Sequence, residues 1–264
     1  MPTATRVCVV GALGRMGERV RAALENEPAL RLGAALEAPG HPRLGEPLAE
    51  GVRLHDDPKA ALEGCDVVVD FSIPASTLRV IDAAAARGVP CVVGTTGFSR
   101  PERDRIAEVG KQLAIVLAPN FSVAVCMLTH LAREAARGLG PSYDAEILEL
   151  HHRLKRDAPS GTALRLAEAV ADGRAGATQE GLVLTRSGEI GPRPPGVIGL
   201  QALRGGDNPG EHTVFFLGEG ERLELAHRAA TREHFARGAL RAARWVLGQE
   251  PGLYAMEDVL GLRP

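Results

Sequence analysis

A glycine-rich turn between a short β-rich run and a helical pattern is the feature that most constrains this chain of 264 residues. The β-rich run covers residues 6–10, the turn reads G-A-L-G-R-M-G over residues 11–17, and the helical pattern continues to about residue 26. Glycines at every third position permit a tight turn, a close approach of the backbone to a pyrophosphate, and close packing of helix on strand. The helix N-terminus adds free N–H groups and the positive end of a dipole. A purely structural turn would also explain three glycines, so the surrounding sequence has to decide between the two.

An acidic residue stands where such a dinucleotide site requires one. Glu37 ends the second predicted strand, 20 residues after the last glycine of the turn. A carboxylate in this position accepts hydrogen bonds from the adenosine ribose hydroxyls, although an ordinary exposed glutamate at a strand end would look the same. The next residue is Ala38, so no cation directly follows to hold a 2′-phosphate, and Arg15 and Arg43 are the remaining candidates. We therefore expect NADH to serve at least as well as NADPH.

The first half of the chain alternates predicted strands with predicted helices. The strands cover residues 6–10, 30–36, 66–71, 89–93 and 114–117, and helices are predicted at 76–87 and 101–111. This alternation indicates a parallel sheet with right-handed crossovers. Aromatic residues make up only 3% of the chain, so Val, Leu, Ile and Ala must fill the core, which suits a sheet buried on both faces. Two loops, at residues 94–97 and 118–121, follow strands and are expected at the nicotinamide half of the site.

The pattern changes after residue 120. Helices are predicted at 122–139, which leads into residues 143–150, and at 162–171. The β-like runs are at 182–186, 197–203, 211–217 and 222–228. Residues 187–196 are too rich in Pro and Gly for either and predict a long loop. The helical tail at 231–248 is expected to return to the first domain. We predict an α/β protein with an N-terminal Rossmann-type parallel-sheet domain (1–121 and 232–264) and a C-terminal α+β domain (122–231) with a mixed or antiparallel sheet.

Composition excludes several classes of protein. The net charge of −2 argues against a partner nucleic acid. The four cysteines form no C-x-x-C pair and have no histidine at metal-ligand spacing, so we expect small buried side chains in a reducing cytoplasm and no metal. The N-terminus has no long apolar signal core, and no apolar run reaches the ~20 residues that would span a membrane. A cytoplasmic protein is expected.

A second candidate site lies in a basic segment, E-L-H-H-R-L-K-R-D-A-P-S-G-T-A at residues 149–163. Five of its six residues from 151 to 156 are His, Arg or Lys, and Ser160-Gly161-Thr162 opens a helix. Adjacent histidines do not form the usual i, i+4 zinc chelate, and the charge balance disfavours nucleic acid. Two readings stay open on these grounds: a solvated basic loop, and a site where cations and a helix N-terminus bind a dicarboxylate.

The chain resembles the 4-hydroxy-tetrahydrodipicolinate reductase (dihydrodipicolinate reductase) family. The matching segments are G-A-L-G-R-M-G, G-T-T-G-F, A-P-N-F-S, the basic segment, R-G-G-D-N-P-G-E-H-T from residue 204, and the ending with D-V-L at 258–260. They run in order over nearly the whole chain, and H-H-x-x-K-x-D-x-P-S-G-T is highly specific. The family reduces a cyclic dicarboxylic imine, made from pyruvate and aspartate semialdehyde, to tetrahydrodipicolinate with NADH or NADPH, and is usually a homotetramer formed through the second domain's sheet.

The resemblance also implies roles for individual residues. His151 would be the proton donor or acceptor and Lys155 its partner proton donor. The substrate, a small dicarboxylate, would be bound by His152, Ser160, Gly161 and Thr162. The dinucleotide would be bound by Gly11, Ala12, Leu13, Gly14, Arg15, Met16, Glu37, Gly94, Thr95, Thr96, Ala118, Pro119, Asn120 and Phe121.

The sequence departs from the family pattern at two of the positions discussed. Members that also take NADP commonly have Arg after the acidic residue, where this chain has Ala38, so the resemblance predicts weaker NADP binding in this chain. Leu154 stands where some members have a third histidine. Two other functions would also use the glycine turn. Another two-domain nicotinamide dehydrogenase would not need the H-H-x-x-K and S-G-T cluster. A redox sensor that holds a dinucleotide without turnover would not need His151 and Lys155, yet both are present.

Overall fold

The chain forms two compact units, each built on one sheet. The structure, a computed structural model, describes residues 4–174 and 181–263. The first unit comprises Met1–Val123 and Glu233–Pro264, and the second comprises Ala124–Arg232. The first unit was expected to end at residue 121 and to resume at residue 232, so the two limits differ from the expectation by two residues and by one residue.

The first segment of the first unit alternates strands with helices, as predicted. Its strands are β1 (Thr5–Val10), β2 (Leu30–Leu36), β3 (Pro47–Ala49), β4 (Val52–His55), β5 (Val67–Asp70), β6 (Cys91–Val93) and β7 (Ala114–Leu117). Its helices are α1 (Arg15–Leu24), α2 (Pro58–Ala61), α3 (Pro74–Ala85) and α4 (Arg100–Gly110). All pairings among these strands are parallel except that of β3 with β4. Every residue of β5 and β6 is buried, and most of them are valines. Such continuous aliphatic strands are typical of a parallel sheet that is covered on both faces.

The second unit is an α+β arrangement with a mixed sheet. Its elements are α5 (Val123–Leu139), β8 (Asp144–His151), α6 (Gly161–Gly173), β9 (Leu182–Val183), β10 (Ile198–Arg204), β11 (Glu211–Leu217) and β12 (Arg222–Arg228). The strand order is β12-β11-β8-β10-β9. Strand β8 runs antiparallel to β11 and parallel to β10. Alternate residues of β8, including Ala145 and Ile147, pack with Leu166 and Val170 of α6 in one core, so the opposite face of the sheet is left uncovered by these helices.

One predicted strand in this unit was too long. Residues 182–186 were expected to be a strand, but only Leu182 and Val183 pair with β10. Arg186 instead donates two hydrogen bonds to Glu146, at 2.8 and 2.7 Å. The loop over residues 187–196 is irregular, as expected, and Arg193 anchors it by donating to Glu146 at 2.9 Å and to Asp144 at 2.6 Å. The strand therefore ends at Val183, and Arg186 forms an ion pair with Glu146 instead of pairing with β10.

The C-terminal segment returns to the first unit, as expected. It forms α7 (Glu233–Val246), β13 (Gly252–Tyr254) and α8 (Met256–Val259). Strand β13 pairs in parallel with β7 and completes the sheet order β13-β7-β6-β5-β1-β2-β4-β3. Helix α7 packs on α1, β5, β6 and β7 through a buried stripe of small residues. The stripe consists of Ala236, Gly238, Ala239, Ala242 and Ala243.

Gly238 tests how closely α7 must approach the loop after β7. A Cβ at Gly238 would overlap the carbonyl oxygen of Phe121, so we expect Gly238→Ala to lower the free energy of unfolding by about 1–3 kcal/mol. Gly248→Ala is the control, because no atom lies within 4 Å of a Cβ built there. Urea unfolding of both variants measures the effect. Equal stability of the two would contradict the close approach.

Candidate active site

The glycine turn leaves bare backbone at the start of α1. Gly11 has φ +69°, and a Cβ there would lie 3.0 Å from the carbonyl oxygen of Phe71. A Cβ at Gly17 would overlap the carbonyl oxygen of Gly11, so the helix can pack this closely only with glycine. Gly14 is exposed, and no side-chain hydrogen bond caps the helix there. This cradle fits the phosphates of a dinucleotide.

Glu37 is held against this turn. Its Oε1 accepts a hydrogen bond from the Leu13 N–H at 3.2 Å, and its Oε2 accepts one from the Ala38 N–H at 3.1 Å. The backbone of Glu37 is itself fixed, because its N–H donates to the carbonyl oxygen of His55 on β4 at 2.9 Å. An acceptor thus stands beside the glycine turn, where ribose hydroxyls need one.

Phe71, which follows β5, contacts three of the predicted cofactor segments. Its carbonyl lies beside Gly11, and its ring fills the space that a side chain at Gly94 would need. The rings of Phe71 and Phe121 meet edge to face with their centroids 5.7 Å apart. The turn and both later loops therefore share one edge of the sheet. From the sequence, Asp70-Phe71-Ser72 is expected at the end of the third strand, on the same edge as the two loops, but the contacts of Phe71 are not predicted.

A buried hydrogen-bond network supports the loop at residues 94–97. Asp70 Oδ1 accepts hydrogen bonds from the Ser72 N–H at 2.8 Å and from Thr95 Oγ1 at 3.3 Å. Thr77 donates to Thr95 Oγ1 at 3.0 Å. Burial raises the pKa of Asp70 despite these hydrogen bonds. The side chain of Thr95 therefore holds the loop onto β5.

In the second unit, His151 is the last residue of β8, although the sequence analysis had placed it in a basic loop. The residue is 9% exposed, and its Nδ1 hydrogen-bonds Glu149. Its ring meets His212 edge to face, with centroids 5.2 Å apart. A Cβ at Gly210 would lie 2.8 Å from Nε2, so glycine keeps that side of the imidazole free of a side chain.

Glu149 has no exposed surface, and sequence analysis assigned it no role. It accepts hydrogen bonds from the Ser160 N–H at 3.0 Å and from the two terminal nitrogens of Arg204 at 2.9 and 2.8 Å. Burial opposes its ionisation, but the hydrogen bonds from His151, Arg204 and Ser160 outweigh burial and hold its pKa at about 2. The only signal in the sequence was an acid at an inward position of an alternating strand.

The basic loop carries the other two predicted side chains, and each is paired. Lys155 Nζ donates to both carboxylate oxygens of Asp157, at 2.9 and 2.8 Å. His152 Nε2 lies 3.1 Å from a terminal nitrogen of Arg232. Desolvation and the positive charge of Arg232 lower the pKa of His152. Arg232 was missed because it is 80 positions away in sequence.

The start of α6 is joined to this cluster. Ser160 is the N-cap of α6, because its Oγ accepts a hydrogen bond from the Ala163 N–H at 3.2 Å. The same oxygen lies 3.2 Å from His212 Nε2, and Ser160 is only 3% exposed. Gly161 is exposed and Thr162 half-buried, so the first turn of α6 is open to a ligand beside them.

The structure therefore brings the predicted site residues together in two groups, one in each unit. Among the residues that the structure describes, no group of three or more His, Cys, Asp or Glu side chains forms a metal site. No helix in the described ranges is both long and apolar enough to cross a membrane.

His212 makes stability depend on pH. Burial and the neighbouring His151 lower its pKa from 6.5 to about 4, so the folded protein keeps it neutral where the unfolded chain takes a proton. Its contribution to stability is complete above pH 6.5 and is lost as the pH falls towards 4, by up to about 3 kcal/mol. We expect His212→Gln to reduce the loss of unfolding free energy between pH 7 and about 4.5. Urea unfolding at both pH values measures this, and an exposed histidine, His55→Gln, is the control. An unchanged pH dependence in His212→Gln would contradict the assignment.

Comparisons with known proteins agree over nearly the whole chain. The family model described as dihydrodipicolinate reductase, N-terminus, matches residues 5–121, and that described as dihydrodipicolinate reductase, C-terminus, matches residues 124–260. A protein named 4-hydroxy-tetrahydrodipicolinate reductase from Anaeromyxobacter dehalogenans strain 2CP-1 is 50% identical over an alignment of 268 positions that covers 98% of each chain. One of the same name from Geotalea daltonii is 45% identical over an alignment of 265 positions that covers 98% of this chain and 99% of the other.

A solved structure supports the fold. Dipicolinate-bound dihydrodipicolinate reductase from Paenisporosarcina sp. TG-14 superposes with a TM-score of 0.81 at 23% identity and covers 97% of this chain and 99% of its own. The predicted fold class, a Rossmann-type parallel sheet followed by a mixed sheet, is confirmed. The resemblance that the motifs indicated is confirmed as well, and the chain belongs to the dihydrodipicolinate reductase family.

Proposed function

We propose that this chain reduces 4-hydroxy-tetrahydrodipicolinate, a cyclic imine dicarboxylate, to tetrahydrodipicolinate, with hydride from NADH or NADPH, in the biosynthesis of diaminopimelate and lysine. The proposal rests on the position of His151 at the end of β8, beside the basic loop and the start of α6. The buried carboxylate of Glu149 bonds both the His151 ring and the backbone N–H of Ser160. Relatives of this family with up to 50% identity carry the name of that reductase.

The first unit would hold the nucleotide. The backbone at Gly11 to Met16 would bind the pyrophosphate, and Glu37 would accept hydrogen bonds from the adenosine ribose. The loops at residues 94–96 and 118–121 would contact the nicotinamide half, which supplies the hydride when bound. Support comes from the uncapped N-terminus of α1 and from Phe71, which contacts all three segments.

The choice of nucleotide follows from the charge beside the ribose. Glu37 carries a negative charge next to the position of the 2′-oxygen, and Ala38 offers no cation to a 2′-phosphate. A carboxylate repels a phosphate at short range, whereas it accepts hydrogen bonds from a free hydroxyl. We therefore propose that NADH is used at least as well as NADPH.

The second unit would bind the dicarboxylate. His152, Lys155 and the first turn of α6, at Ser160, Gly161 and Thr162, would share the two carboxylates. The hydroxyl of Ser160 already caps α6, so its contribution would come mainly from fixing that turn. Lys155 holds Asp157, whose side chain is 62% exposed, and exposed ion pairs are worth little. A substrate carboxylate can therefore displace Asp157 from Lys155.

Proton transfer would rely on His151 and Lys155. Loss of the 4-hydroxyl group as water leaves a carbon–carbon double bond conjugated with the imine. Hydride addition to that double bond then leaves a carbanion-like centre on the substrate, and this centre must take a proton. The imidazole of His151 presents Nε2 on the side that Gly210 keeps clear and can deliver that proton to the substrate. The ammonium of Lys155 stabilises the negative charge that develops during the reaction and is the second proton donor.

The test is a coupled assay that generates the cyclic imine in place and follows the oxidation of NADH and, separately, of NADPH. We expect imine-dependent oxidation of both, with the NADH rate at least equal. His151→Ala and Lys155→Ala should each lower kcat by about 10²-fold or more with nucleotide binding intact. Lys111→Ala is the lysine control, because Lys111 forms an exposed ion pair with Glu108 on the surface.

Normal turnover in both site variants would reject these roles. Folded protein that binds nucleotide but oxidises neither NADH nor NADPH in the presence of the imine would reject the reductase. Another nicotinamide dehydrogenase or a sensor would then be the better description.

We also propose that the chain is a homotetramer built on the open face of the second sheet. The alternate residues of that sheet that face away from α5 and α6 include Leu148, Leu150, Leu203, Phe215 and Leu217. Leu203 is 49% exposed, and an apolar face of this kind is typical of an interface. Sedimentation equilibrium should give four times the mass of the chain, and Leu203→Glu should lower it. A monomeric mass for the unchanged protein would contradict the proposal.

We place the reaction in the cytoplasm. Among the described residues, the four cysteines are buried thiols that form no disulfide bond. Cysteines kept in the thiol form are typical of proteins that work in a reducing compartment.

A further inference from the structure

We propose that Glu149 is a positioning residue for His151: its buried carboxylate fixes the imidazole with Nδ1 protonated and turned inward, so that Nε2 alone faces the reacting atoms. The proposal rests on the function proposed above and adds a residue to which no role has been assigned. Glu149 touches neither substrate nor nucleotide in this scheme and acts only through His151.

Four contacts leave the Glu149 carboxylate a single orientation. Its Oε2 is bound by His151 Nδ1 and by one terminal nitrogen of Arg204 at 2.9 Å. Its Oε1 is bound by the other terminal nitrogen at 2.8 Å and by the Ser160 N–H at 3.0 Å. The bidentate guanidinium and the fixed amide together prevent the carboxylate from turning away. His151 is therefore paired with an acceptor that cannot move.

An acceptor that cannot move determines where His151 carries its proton. An ionised carboxylate can only accept hydrogen bonds, so Nδ1 must be the donor in both the neutral and the protonated ring. Exchange of a proton with the substrate is then confined to Nε2, and the negative charge favours the protonated ring that donates it. Gly210 leaves Nε2 accessible, because the Cβ of any other residue at this position would lie 2.8 Å from Nε2.

Arg204 links this arrangement to the loop that carries Lys155. Besides its two bonds to Glu149, its guanidinium donates to the carbonyl oxygen of Asp157 at 2.7 Å, and Asp157 is the ion-pair partner of Lys155. One guanidinium thus touches the supports of both proposed proton-transfer side chains. A cation that served only to neutralise a buried acid would not need this second contact.

Glu146 provides a matched comparison on the same strand. It lies on the opposite face of β8 from His151 and also pairs with two arginines, Arg186 and Arg193. Hydrogen bonds from these arginines outweigh its partial burial and lower its pKa as well. Glu149→Gln and Glu146→Gln therefore remove the same charge from the same strand, and only the first removes it from His151.

The kinetic test compares the pH profiles of the unchanged protein and the two variants. For Glu149→Gln we expect kcat to fall about 10²-fold or more, with nucleotide affinity unchanged and KM for the imine changed much less than kcat. The alkaline limb of the kcat profile should move to lower pH by about one unit or more, because the variant lacks the charge that retains the proton. Glu146→Gln should leave the shape of the profile unchanged.

A second readout does not depend on turnover. Protein labelled with ¹⁵N-histidine gives ring signals from 8 histidines. The signals that are absent from the spectrum of His151→Asn belong to His151. We expect Nδ1 to be protonated in the unchanged protein and in Glu146→Gln. In Glu149→Gln the ring should lose its proton at a lower pH and populate the Nε2–H form. If this variant does not fold, Glu149→Asp keeps the charge on a shorter arm and should lower kcat while leaving the alkaline limb near its original pH.

The outcomes separate the two proposals. A Glu149→Gln protein with reduced thermal stability but unchanged ring signals and pH profile would show a purely structural role and overturn the inference. So would a Glu149→Asp protein whose alkaline limb shifts although the charge is kept. Ring signals that respond as expected in a protein without reductase activity would support the positioning role and reject the proposed function instead.

Discussion

The arrangement of the second unit depends on a carboxylate that has no access to water. Glu149 points into the sheet's covered face, and an unpaired charge in such a place would cost several kcal/mol. Three donors therefore converge on it: the ring of His151, two residues away, the backbone of Ser160, 11 residues away, and the guanidinium of Arg204, 55 residues away. The N-terminus of α6, the end of β8 and the end of β10 are held together by that requirement. Satisfying one buried acid thus assembles the centre of the candidate site.

The first unit is arranged by close packing rather than by charge. Small residues let α1, α7 and the loops after β5, β6 and β7 approach one another, as at Gly17 against Gly11 and at Gly238 against Phe121. Phe71 fills the space that the missing side chains leave and contacts the glycine turn and both later loops. A nucleotide that lies along this edge would meet a surface that is already formed, which limits the entropy lost on binding.

Much of the fold follows from the sequence because its signals are local. The strand–turn–helix at residues 5–24, the buried run at β5 and the alternation along β8 and β11 each show their periodicity within one short window. The elements that were missed, β3, β4, α2, β13 and α8, are each only three or four residues long, too short to show a period. They owe their structure to neighbours, as β13 does to β7.

The candidate site divides in the same way. The sequence by itself determined the fold class, the glycine turn with its acid, and the cluster of His151, His152, Lys155 and the Ser160–Thr162 turn, because these lie in contiguous motifs whose residue types carry the chemistry. Only the tertiary structure decided the partners: Glu149 and Arg204 behind His151, Asp157 on Lys155, Arg232 beside His152, and Phe71 among the cofactor loops. Arg204 and Arg232 lie far along the chain from the side chains they contact. Glu149 and Asp157 are each only two residues from their partners, His151 and Lys155, but any nearby acid looks alike in sequence until the backbone path is known. A partner is chosen by distance and burial in three dimensions, and a linear pattern contains neither.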